Sequence, residues 1–169
     1  MNYTYVEEYI FDLFTSIGIT HSSQLNMYLV AAKLGVSIIH YHRLLMYKNE
    51  IFIESGTSQE EWQAFGHEIC HHLRHCGNQL VLHPLFVDLQ EMQAEYFSLH
   101  FCVPTFMLEQ IELSKYKKEN IYLISQTFNV DYQFAEKRLD VYLNKKCYFG
   151  GMINGKFSKT WENMAIHCK

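Results

Sequence analysis

Apolar and polar residues alternate with a helical period along most of the chain and with a shorter, strand-like period in one stretch. From 3 to 17, Val6, Tyr9, Ile10, Leu13 and Phe14 recur at the three-to-four-residue spacing of one helix face, and Gly18 ends the run. Ser22 or Ser23 opens a second helix that reaches Gly35. The runs 36–41, 44–47 and 50–54 read as strands, with Lys48-Asn49 as a tight turn between the last two, which predicts a small sheet or meander. Ser58 and Glu61 have capping-box spacing, because the hydroxyl can take the amide at Glu61 while the carboxylate reaches back, so a helix is expected from there to about His75. Asp88 and Glu91 repeat the spacing before a nearly all-apolar helix that Pro104 stops. Such a helix is expected to be buried on most sides. Shorter helices follow at 105–113, 119–128 and 132–143, and no structure is predicted for 150–169.

Composition places this α+β pattern in one globular domain. The chain has 169 residues, of which 49% are hydrophobic and 15% aromatic, which excludes intrinsic disorder. Its five cysteines are odd in number and form no CxxC pair, so neither a disulfide framework nor a zinc ribbon is indicated, and a reducing cytoplasm is expected. Glu7, Glu8 and Asp12 stand where a secretory signal needs basic residues, and no apolar run approaches the roughly 18 residues of a membrane span, so no membrane association is expected. The net charge of −4 hides an asymmetry. Residues 1–112 hold 4 basic and 13 acidic side chains, and 113–169 hold 10 and 5. The expected organisation is a core over 1–112 and a basic helical part and tail over 113–169, packed together as one domain. The basic end reads first as a solvated helical surface; the sharper alternative is a patch for an acidic partner or nucleic acid.

Five of the ten histidines fall between His67 and His83. Among them, His67-Glu68-Ile69-Cys70-His71 is an HExxH motif inside a predicted helix. Residues four apart on a helix project side by side, so the two imidazoles can hold one ion while Glu68 flanks it. Trp62, Phe65, Ile69 and Leu73 make an apolar stripe roughly opposite these histidines. Glu91, twenty residues after His71, is the preferred third ligand. It shares its helix face with Ala94, Ser98 and Cys102, whose small side chains admit a close neighbour, and a carboxylate on an apolar buried helix calls for a cation. Glu95 is the alternative ligand, or else a carboxylate that orients a ligand histidine. His72 and His75 read as supporting or surface groups, His83 has no assigned role, and Cys70 reads as a packing residue. A zinc ion held by His67, His71 and Glu91 would activate a water and polarise a carbonyl, with Glu68 as general base and then acid, which makes peptide-bond hydrolysis the natural reaction. The chain offers no Ser/His/Asp arrangement and no phosphate-binding glycine loop.

In this order of elements the sequence resembles the ImmA/IrrE family of metallopeptidases of bacteria and their mobile genetic elements. The strand at 50–54 precedes "FGHEICHHLRH", similar to the family's FxxAHELGHxLLH; then come "EMQAEYFSLHFCVP", similar to ExxAxxFAxxLLxP, and "FNVDYQFAEKRL", similar to FxVSxxAVxxRL. By this resemblance His67 and His71 are the zinc histidines, Glu68 the catalytic glutamate and Glu91 the acidic third ligand. Cys70 departs from the family's glycine, Gly66 from its alanine, and Ser98 from another alanine. The resemblance implies a zincin-like core, a small sheet and an HExxH active-site helix, followed by a mainly helical C-terminal part. It also implies a protein substrate: a helix-turn-helix repressor whose cleavage lifts repression of a mobile element or of stress genes. The rival reading is a non-catalytic antirepressor with a structural metal. The last helices, 121–128 and 132–143 joined by 129–131, have a helix-turn-helix outline, but Phe128, Val130, Phe134 and Leu139 read as core residues, and nucleic-acid binding is not expected.

Overall fold

The structure, a computed structural model, describes residues 3–40, 49–75 and 82–154, the last seven by backbone alone. Helix α1, Tyr5–Ser16, begins at Thr4, whose hydroxyl accepts the Glu7 amide, while the Glu7 carboxylate accepts the Thr4 amide at 2.7 Å. Gly18 carries a φ of +71° just past its end. The single helix expected from Ser22 to Gly35 is two pieces, a 3-10 turn at Ser22–Gln24 and α2 at Met27–Leu34. Asn26 makes the break: its backbone is extended and its side chain caps α2 by accepting the Leu29 amide. Gly35, with φ +73°, closes α2 in the left-handed conformation.

Strands β1, Ser37–Ile39, and β2, Glu50–Phe52, pair in parallel with Ile38 opposite Ile51. The parallel sense means that β2 is not the hairpin partner of β1. The expected strand at 44–47 and the turn at Lys48 lie outside the described residues. Ile51 and Ile53 are buried, and β2 packs on α3, Ser58–Arg74. The cap of α3 lies one residue earlier than the sequence suggested. Thr57 accepts the Glu60 amide, and Glu60 accepts the Thr57 amide at 2.8 Å. Both registers fit the capping spacing in Thr57-Ser58-Gln59-Glu60-Glu61, and the chain uses the first.

Helix α4, Pro84–Cys102, starts a full turn before the expected cap at Asp88. His83 Nδ1 accepts the Leu85 amide, and Pro84 opens the helix, where its missing N–H costs nothing. Asp88 and Glu91 therefore lie within the helix. Nor is α4 buried on most sides. Ala94, Phe97 and Phe101 face the core, but Leu85, Leu89, Met92 and Tyr96 are exposed, because α1, α3 and α7 pack elsewhere on the helix. Beyond Pro104 come α5, Thr105–Leu108, then α6, Lys117–Phe128, and α7, Tyr132–Asn154, which runs well past the expected end at 143.

The core joins α1, α3 and α4 through Phe14, Phe65, Phe97 and Phe101, with the Phe14 and Phe101 rings 5.0 Å apart. The turn between α6 and α7 is fastened to α3. Gln63 accepts the Asp131 amide at 2.7 Å and donates to the Asp131 carboxylate at 2.8 Å, and Asn129, at φ +53°, donates to the Ser58 carbonyl. Phe128, Val130 and Leu139 are buried and Phe134 is half-buried. A second tie is a buried polar group. The Glu7 carboxylate meets Lys145 of α7 and the Thr105 hydroxyl, while buried Arg138 donates to Thr105 and to the Val103 carbonyl. The mainly helical α+β architecture is that of the zincin-like fold expected from the sequence. Among the described residues no helix is long and apolar enough to cross a membrane.

Candidate metal centre

The capped α3 sets its apolar stripe, Trp62, Phe65 and Ile69, into the core, and this turns His67 and His71 toward Glu91 of α4. α4 approaches closely because the contact uses small residues. A β-carbon at Gly66 would lie 2.5 Å from Cys102 Sγ, so only glycine fits there without displacement. Ala94 and Ser98 are buried along the same helix. The closeness brings Glu91 to the two histidines. Its Oε2 lies 3.0 Å from His67 Nε2 and its Oε1 3.5 Å from His71 Nε2, and the two Nε2 atoms are 3.1 Å apart.

Two tests bear on whether these groups fit a metal. A tetrahedral ion with ligand bonds of about 2.0–2.1 Å spaces its ligand atoms about 3.3 Å apart. The three observed spacings lie on both sides of that value. The second test is the donor set. Two ring nitrogens and a carboxylate converge on one point, an unfavourable arrangement unless a proton or a cation lies among them. Burial holds His71 below the ordinary imidazole value, outweighing the opposing pull of Glu91, and so favours the neutral ring that ligation requires. The residues fit a divalent metal, and the three together could hold one.

The tautomer of His71 is set from behind. His75 Nε2 meets the Gln93 carbonyl oxygen at 3.1 Å and must donate to it. In a neutral His75 ring Nδ1 is then the acceptor, and at 2.9 Å it is placed to receive the His71 Nδ1 proton. That leaves the His71 Nε2 lone pair toward His67 Nε2 and Glu91. The orienting group is thus His75, not Glu95, whose side chain is exposed and outside the cluster. His72 is exposed and His83 serves as a helix cap. The expectation that Glu91 is buried does not hold: its side chain is 44% exposed, and convergence on the histidines, not the cost of burial, distinguishes it. Glu68 is raised above the ordinary carboxyl range, mainly by burial, with neighbouring His67 opposing and Glu91 adding to the shift. Burial also pushes the Cys70 thiol up to about 11, which leaves it protonated near neutrality and fits a packing role. The sequence read the histidine pair from helix periodicity. The His75–Gln93 support had a weaker signal, a third histidine four residues beyond His71 on the same face.

A small sheet followed by an HExxH helix, with a carboxylate supplied by the next helix, defines a zincin-like α+β protein. The chain belongs to the peptidase family described as the IrrE N-terminal-like domain, whose model matches residues 22–140. It is a family of metallopeptidases, and a peptidase implies a protein substrate. The chain is 37% identical over 150 residues to "Phage-like element PBSX protein XkdA" of Bacillus subtilis (strain 168), covering 85% of this chain and 75% of that one. It is 33% identical over 153 residues to "Uncharacterized protein YqaB" of the same organism, covering 86% and 89%. No solved structure matches the chain.

Proposed function

We propose that this protein is a zinc-dependent endopeptidase that cleaves a helix-turn-helix transcriptional repressor and so relieves repression of a mobile element or of stress genes. His67, His71 and Glu91 hold the metal, and Glu68 is the catalytic base. The observation that carries this reading is the convergence of those three side chains within 4.8 Å, with half-buried Glu68 next to His67 on the same helix. The phage-like element in the name of the XkdA relative supports the mobile-element setting. Residues 1–112 are the catalytic core and 113–169 the helical part and tail of the same domain, a reading supported across the boundary by the Gln63–Asp131 and Glu7–Lys145 contacts of the described residues.

A zinc ion bound there supplies Lewis acidity, making a water more acidic and polarising the scissile carbonyl. The chain's own residues do the rest. Glu68, one residue from a ligand histidine, takes the proton of the attacking water. It then passes that proton to the leaving amine. His75 and Gln93 hold His71 in one orientation and one tautomer.

The experiment is to mix the protein with the repressor encoded beside its gene and follow cleavage by mass spectrometry, for the natural chain and for Glu68→Gln. The expected result is one specific cut with the natural chain and none with Glu68→Gln, both proteins binding zinc equally. If the natural chain relieves repression without cutting, the antirepressor reading with a structural metal replaces this one.

A further inference from the structure

The outer face of α4 has a feature that hydrolysis does not use. Leu85, Leu89, Met92 and Tyr96 are 72%, 46%, 68% and 39% exposed, and their spacing of four, three and four residues forms a continuous seam of the kind that pairs with another helix. Asp88 and Glu95 line the edge of that seam on the side of Glu91, and neither carboxylate has an ion-pair partner among the described residues. A second copy of the chain is a poor occupant, because antiparallel pairing of two such seams sets these acidic rows against each other and parallel pairing sets them against the uncharged edge with Phe86 and Gln93. The charge instead matches a helix with basic residues along one edge of its apolar stripe.

We propose that this face docks an amphipathic helix of the substrate protein, with its apolar stripe on Leu85, Leu89, Met92 and Tyr96 and its basic edge on Asp88 and Glu95. The inference rests on the endopeptidase reading and deepens it, because the same helix carries Glu91. At about 100° per residue the seam is centred about 130° around α4 from Glu91. On a helix surface of radius about 5 Å that is an arc of about 11 Å, which three or four extended residues span. The cut therefore falls a few residues beyond one end of the docked helix, in extended chain.

The test uses the full chain carrying Glu68→Gln, so that binding is read without cutting, and measures fluorescence anisotropy of three labelled helical peptides. One has leucines at four-three-four spacing with lysines along one edge, one has glutamates in place of those lysines, and one is a scramble of the first. The lysine peptide is expected to bind at least tenfold more tightly than the other two. Leu85→Gln with Met92→Gln should weaken it at least tenfold with unchanged thermal unfolding, and Asp88→Lys with Glu95→Lys should transfer the preference to the glutamate peptide. Equal binding of the lysine and scrambled peptides, no effect of the paired substitutions, or a dimer that the Leu85/Met92 substitutions dissociate would overturn the proposal. His67→Ala separates the two readings, since it should abolish zinc binding and leave peptide binding intact. Peptide binding without zinc or cleavage in the natural chain contradicts the endopeptidase reading, whereas specific cleavage without peptide binding overturns the docking face alone.

Discussion

Replacing Gly66 by alanine tests the contact that holds the two halves of the site together. Gly66 precedes His67 on α3, and Cys102 lies three turns beyond Glu91 on α4, so their approach sets how near Glu91 comes to the histidines. The new methyl would sit 2.5 Å from Cys102 Sγ, 3.4 Å from a Phe101 ring carbon and 3.5 Å from Ser98 Cβ. Ordinary carbon contacts begin near 3.5 Å, so the sulfur contact alone is a collision. Cys102 has little room to yield, being fully buried with its thiol donating to the Trp62 carbonyl. Overpacking of this kind costs about 1–3 kcal/mol, against a gain of about 1 kcal/mol for alanine over glycine in a helix. With Cys102 in place, Gly66→Ala should therefore destabilise by up to about 2 kcal/mol. With Cys102→Ala the collision disappears and only the gain remains, so the same substitution should stabilise by roughly 0.5–1 kcal/mol. Urea unfolding of the four proteins forms a double-mutant cycle with an expected coupling of about 1–3 kcal/mol. A Gly66→Ala effect of the same sign in both backgrounds would refute the account of the α3–α4 contact.

Acid stability depends on the buried group around Glu7. Hydrogen bonds from Lys145, Thr4 and Thr105 hold Glu7 down to about 2 against the opposing effect of burial, and burial chiefly, with Arg138 beside it, lowers His100 to about 3. Both folded values lie below the ordinary ones, so the unfolded chain binds the extra protons. Stability should fall first as pH drops below about 6.5, through His100, and again from about 4.5 toward 2, through Glu7. The Glu7 contribution is on the order of 3 kcal/mol, and Glu7→Gln should flatten the lower limb of a Tm-against-pH curve. His75→Ala, which removes the group orienting His71, should weaken zinc binding roughly 10–100-fold in a chelator competition while leaving the fold intact. Gln63→Ala should cost about 1–2 kcal/mol in urea by releasing Asp131 at the α6–α7 turn, and no change would place the stability of that turn elsewhere. Zinc at about a hundred times its dissociation constant should stabilise the natural chain by about 2.7 kcal/mol and raise Tm by roughly 5–10 °C.

What the sequence made legible was local. The His67/His71 pair and the stripe of Trp62, Phe65 and Ile69 follow from one helical period, and the small residues Ala94, Ser98 and Cys102 mark a close helix contact, though not Gly66 as its partner. Other features had no local signal. Glu7 and Lys145 meet across 138 positions and Arg138 and Thr105 across 33, so nothing near any of them marks the cluster. The capping spacing at Asp88 was outweighed by Pro84, which starts α4 a turn earlier. An apolar composition also suggested that α4 is enclosed, whereas burial depends on which neighbours pack on it, and the face with Leu85 and Met92 has none among the described residues.

The central claim is that His67, His71 and Glu91 hold one divalent metal, and metal stoichiometry tests it most directly. Equilibrium dialysis against zinc followed by elemental analysis, on the natural chain, Glu68→Gln and single alanine substitutions of His67, His71 and Glu91, separates the outcomes. The account predicts about one tightly held zinc per chain for the natural protein and Glu68→Gln, with loss of at least a hundredfold in affinity for each of the three alanine variants. No zinc in the natural chain, or zinc binding that survives all three substitutions, would contradict it.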